Sequence, residues 1–139
     1  MTRGSLLCAA AALTLAGAAE AQGGAAAKLD RPVRIGGDAS LDACTALAKV
    51  VKLDPRGDHF LAVKAGPSLR ARRVDRLGPG ALVHSCDEAA GGWIGVVYAR
   101  GGKPSDGCGV SSPVRDRRAY AGSCRSGWVS AEYLEVIAG

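Results

Sequence analysis

Aromatic side chains are scarce in this chain, which has one Phe, two Trp and three Tyr among 139 residues. A core cannot be filled mainly with rings, so each of the six is informative, either as core or as the wall of a binding site. Long apolar stretches are also few. The one extended run, Leu6 to Ala19, falls short of the ~20 residues that cross a bilayer comfortably, which disfavours a membrane anchor. Beyond residue 21, no two cysteines stand closer than sixteen positions apart, so the close-set pairs of zinc sites are missing. A helical period is almost absent, and no Gly-rich loop leads into a helix to cradle a phosphate.

The amino terminus carries an address. Met1-Thr2-Arg3 is a short basic start, the Ala- and Leu-rich run follows, and Ala19-Glu20-Ala21 supplies small residues where a signal peptidase reads. Residues 1–21 therefore predict a secretory signal cleaved before Gln22. Cys8 sits inside its apolar centre, with Leu7 before it where a lipoprotein acceptor wants a small residue. Cleavage removes one Arg and one Glu, so the formal net charge stays at +5. That excess alone would suit nucleic acid. An exported chain with basic residues interleaved as Asp75-Arg76 and Asp116-Arg117 fits anionic envelope polymers better, and no nucleic-acid partner is expected. The mature chain is expected in the periplasm or secreted, with no integral span.

Cys44, Cys86, Cys108 and Cys124 remain after cleavage. An even number in a small exported domain predicts two disulfides. Of the three pairings, the favoured one joins Cys108 to Cys124 across a long loop and Cys44 to Cys86, tying the leading segment to a central strand. The first loop would contribute ~3 kcal/mol through chain entropy.

Residues 22–43 read as a flexible leader, Gly- and Ala-rich and then charged, with at most a short helical turn around Leu41 to Cys44. From there to residue 139 the pattern is one of short strands. Val50 to Leu53 and Phe60 to Val63 flank Asp54-Pro55-Arg56-Gly57, which predicts a hairpin with a positive backbone angle at Gly57. Val74 to Leu77, Ala81 to Cys86 and Trp93 to Tyr98 follow, the last apolar enough for burial on both faces. Gly127-Trp128-Val129 predicts a strand, Ser130 to Tyr133 one helical turn, and Leu134 to Ile137 a closing strand. Short strands broken at Gly and Pro describe an all-β fold, a small barrel.

Four pieces in order carry a resemblance. They are Leu61-Ala62-Val63-Lys64-Ala65-Gly66-Pro67-Ser68, then Val74 to Gly80, then Gly91-Gly92-Trp93-Ile94-Gly95-Val96, and finally Gly127 to Leu134. Together they resemble the bacterial SH3-like (SH3b) domain over roughly residues 50–137. The departure is a long insert, Ala99 to Ser126, which holds two cysteines and Arg115-Asp116-Arg117-Arg118 and is expected to be stapled.

The resemblance implies a shallow groove for an extended peptide, walled by aromatics near the closing strand and by the polar loop after the first strand. It places Ser68, Arg70, Arg72, Trp93, Trp128 and Tyr133 around that groove, with Tyr98 as an outside candidate. A solvated loop is the alternative for Arg70, Arg72 and Arg73, and Phe60 and Trp93 also suit a core. Cysteine-hydrolase chemistry needs a thiolate at a helix start beside a histidine. No cysteine here opens a helix, and His59 and His84 read as surface or edge residues. The expectation is a non-catalytic exported module that binds a peptide-like envelope ligand, either a peptidoglycan stem peptide or a protein segment. It needs no metal or other cofactor. An interaction module docking through the arginine-bearing insert is the alternative, and a small cell-wall hydrolase the third reading.

Overall fold

The computed structural model describes residues 28–139 together with Ala12, so the expected signal segment otherwise lies outside the described residues, as does 22–27 of the leader. The described chain is all-β. Seven strands form one antiparallel sheet: β3 (Ala46–Val50), β4 (Leu61–Lys64), β5 (Arg73–Leu77), β6 (Leu82–Ala89), β7 (Trp93–Tyr98), β10 (Arg125–Ser130) and β11 (Leu134–Ala138). Four shorter strands pair as two ribbons. β1 (Arg34–Ile35) joins β9 (Arg118–Ala119), and β2 (Asp38–Asp42) joins β8 (Pro113–Val114).

The order across the large sheet is β11-β3-β6-β7-β10-β4-β5. Its ends, β11 and β5, do not pair, so the expected closed barrel does not form. Closure is not needed for burial here, because the sheet is covered on both faces. On one face Val50, Leu61, Val63, Leu77, Val83, Val96 and Val129 gather into a core. On the other, Val97 and Trp128 pack against Val33, Ile35, Ala43 and Val110 from outside the sheet.

β7 shows how the sequence encodes this. Its side chains alternate, with Val96 and Tyr98 on the first core and Val97 on the second. The near-continuous apolar run is therefore needed, and Val96, Val97 and Tyr98 are all buried. Neighbouring β6 bulges between Ser85 and Asp87. The extra residue lets consecutive side chains, Cys86 and Asp87, meet the outer layer.

Four expectations for the first half are corrected. Residues 28–43 are not a loose leader. Val33, Ile35 and Ala43 are buried, and the stretch around Leu41 belongs to β2, not to a helical turn. The 50–63 hairpin does not form, because β3 gives its two edges to β6 and β11 and has none left for β4. β4 pairs with β5 and β10 instead. The Asp54 turn does close, with the Gly57 N–H donating to Asp54 O, but the left-handed angle falls at Lys52 (φ 59°) and not at Gly57. The later elements follow expectation. β5, β7 and β10 form where predicted, Ala131–Tyr133 is a 3-10 turn, and β11 closes the chain.

Cys44 is bonded to Cys86 and Cys108 to Cys124, the favoured pairing. The first joins the leading segment to β6, and the second closes the insert. Two disulfides belong to an oxidising compartment, periplasmic or extracellular. No helix among the described residues is long and apolar enough to cross a membrane.

Candidate functional site

Ser130 at the end of β10 lies opposite Trp93 at the start of β7, and the Ala131 N–H donates to Gly92 O at 2.8 Å. The 3-10 turn that follows is tied to the chain leaving β3 by a 2.9 Å bond from the Val51 N–H to Tyr133 O. These main-chain bonds hold Trp93 and Tyr133 in place. With Phe60, which leads into β4, they border one hollow of about 470 Å³. All three rings are half-buried; Tyr133 packs against the first core and Trp93 against the second, while the Phe60 ring carries the guanidinium groups of Arg73 and Arg76 at 5.3 and 5.1 Å from its centre.

The rim is polar and charged. Lys52, Asp54, Asp58 and Ser130 border it, together with Leu53, Lys64 and Leu69. Lys64 is turned to its own loop, its Nζ donating to Leu69 O at 3.2 Å and to Ala71 O at 3.3 Å. This holds Leu69 out at 81% exposure beside the hollow. A large apolar side chain at a loop tip is the kind of surface that marks a binding site when other apolar groups lie next to it. The left-handed backbone at Lys52 is a second mark, since a non-glycine residue adopts it at a cost and such positions cluster where function demands them.

The predicted site residues divide. Trp93 and Tyr133 come together on the hollow. Ser68 shapes the adjoining loop, its hydroxyl accepting the Arg70 N–H at 3.2 Å, and Arg70 is exposed. Arg72 points elsewhere, donating through Nε and Nη2 to Asp30 at 3.2 and 3.1 Å. Trp128 does not line the groove. It is fully buried in the second core, with its indole N–H donated to Arg31 O at 2.7 Å. Tyr98 is likewise interior, its hydroxyl donating to Asp75 at 2.9 Å. Both leave the candidate site because their strands bury both faces.

Phe60, Leu69 and Lys52 were missed as site residues. Phe60 had a signal, standing just before a strand in a chain poor in rings. Leu69 had one too, an apolar residue inside an otherwise polar loop. In the insert, Arg117 is not free for a partner, since it is paired with the buried Asp87. Arg115 and Arg118 are exposed. His84 contacts Ser105 O through Nε2 at 3.2 Å, and His59 is exposed. No family model matches this chain, and no curated protein or solved structure matches it either.

Proposed function

We propose that this protein is an exported, SH3-like binding module without catalytic activity, taking a peptide-like ligand of the cell envelope in the hollow bordered by Phe60, Trp93 and Tyr133. The observation that carries the reading is the gathering of three of only six aromatic rings, half-exposed, around one opening. Rings already fixed by the fold, Trp93 on β7, Phe60 at the entry to β4 and Tyr133 in the 3-10 turn, offer a peptide apolar area at little entropic cost. Lys52 on one hand and Asp54 and Asp58 on the other give both signs of charge for backbone termini or side chains of the ligand. A peptidoglycan stem peptide and a protein segment are the two ligand types of this chemistry. The four cysteines of the described chain are oxidised in pairs, which supports the non-catalytic reading, since a cysteine nucleophile needs a thiolate.

Sedimentation of the purified protein with isolated sacculi tests this. Wild type should pellet, and Trp93→Ala and Tyr133→Ala should each weaken pelleting by about tenfold or more, as hot-spot aromatics do. Undiminished pelleting of both variants would remove the hollow from the function.

A further inference from the structure

A different set of residues already holds a peptide segment, and that segment is the chain's own. The Arg31 N–H donates to Ala65 O at 2.9 Å, and Arg31 O accepts the Trp128 indole N–H at 2.7 Å. Its two main-chain groups thus reach different partners, the backbone just after β4 and the side chain of Trp128 on the neighbouring β10, so the segment is held across two adjacent strands. One residue earlier, Asp30 takes the two bonds from Arg72, and the Arg31 guanidinium lies 5.1 Å from the centre of the Trp128 ring. Before that, Leu29 O is pressed against Gly66, where any Cβ would overlap it. Gly66 is thus required by the close approach of this segment, whereas the sequence pattern pointed to a turn.

The segment does not fill its slot. A hollow of about 280 Å³ remains between Asp30–Val33 on one side and Ala65, Arg72, Val74 and Gly127 on the other. The Arg72–Asp30 pair is also solvent-accessible, at 60% and 34% side-chain exposure, so another carboxylate can reach Arg72. Core burial begins only at Val33, which is 2% exposed in the second core, so residues 29–32 are held by the polar contacts above rather than by packing and can withdraw while Val33 and Ile35 stay.

We propose that the slot formed by Ala65, Gly66, Arg72 and Trp128 is a second peptide-binding site, with Leu29–Pro32 as its resident ligand. It would accept an external segment of the same chemistry, an acidic residue followed by one whose N–H and C=O are both free. The carboxylate answers Arg72. The free carbonyl answers the Trp128 indole, which is buried and needs an acceptor from whatever occupies the slot. The proposal stands apart from the aromatic hollow and does not depend on it.

A fluorescein-labelled peptide copying residues 28–33 tests it by anisotropy, against the full chain and against Asp30→Arg, which sets like charges at Arg72. The variant should bind roughly fivefold more tightly than wild type, in line with an exposed ion pair. A peptide with its own Asp replaced by Arg should lose that binding. A folded variant that binds no better, or that binds both peptides alike, overturns the proposal. In the unmodified protein, hydrogen exchange of the Trp128 indole N–H should run at least about tenfold faster than that of the Val97 amide, since release of the segment is a local opening. Equal rates overturn it even if Asp30→Arg does not fold.

Discussion

Asp87 and Arg117, thirty residues apart in sequence, form an ion pair whose carboxylate is 2% exposed and whose guanidinium is 42% exposed. The same carboxylate accepts the N–H of Arg34 at 3.0 Å and of Glu88 at 2.9 Å. One acid on β6 therefore binds both halves of the outer layer, the leading segment and the insert.

Arg117→Ala should cost about 2–3 kcal/mol, less than a fully buried pair because Arg117 is partly solvated. The penalty comes mostly from stranding the buried carboxylate. Adding Asp87→Asn should recover part of it, because the amide oxygen still accepts the Arg34 N–H without carrying charge. Urea unfolding of the two variants checks this. An unchanged midpoint for Arg117→Ala would mean the pair does not hold the layer.

The two disulfides should differ in worth. Cys44–Cys86 spans 42 residues and Cys108–Cys124 spans 16. Chain entropy then assigns ~4 kcal/mol to the first and ~3 kcal/mol to the second. Paired Cys→Ser variants, compared by denaturant midpoint, should rank in that order. Titration of unfolded, unreduced protein should find no thiol at these four positions, and four reactive thiols there would refute both bridges.

Gly95→Ala should destabilise the fold by about 1–3 kcal/mol, the usual effect of overpacking. Its added Cβ would stand 2.7 Å from Asp87 Cβ, 3.1 Å from Val33 Cγ1 and 3.3 Å from Trp128 Cη2. Two of these neighbours lie on strands that flank β7, and the third belongs to the covering segment, so none can yield freely. A thermal midpoint equal to wild type would show that the covering segment shifts without cost.

Burial, reinforced by the hydrogen bond to Asp75 and its negative charge, raises the Tyr98 hydroxyl well above its ordinary value of 10.0. A group whose acid form is favoured in the folded state contributes fully below the unfolded pKa. That contribution is lost as pH rises past it, so stability should decline above about pH 10. Tyr98→Phe should cost ~1 kcal/mol at neutral pH and flatten the alkaline decline. Unfolding free energies at pH 7 and pH 11 test this, and an equal alkaline loss in the variant would assign it to other groups.

Local pattern alone was enough for much of the chain. Trp93 to Tyr98 reads as a strand buried on both faces, and Gly127 to Ile137 reads as strand, turn and strand. Both readings hold because alternation and Gly punctuation act over a few residues. The even number of cysteines likewise pointed to two disulfides, while the choice among three pairings was left to the tertiary structure. Only the tertiary structure decided which edges meet and which faces are covered. β3 spends both edges on β6 and β11, so the apparent 50–63 hairpin is never made. The segment from Val33 to Ala43 and the insert form a second layer that buries Trp128, while Phe60, Trp93 and Tyr133 are left together at an opening. Strand pairing and face burial are settled between residues far apart in the chain, and a short window of sequence does not contain the partner.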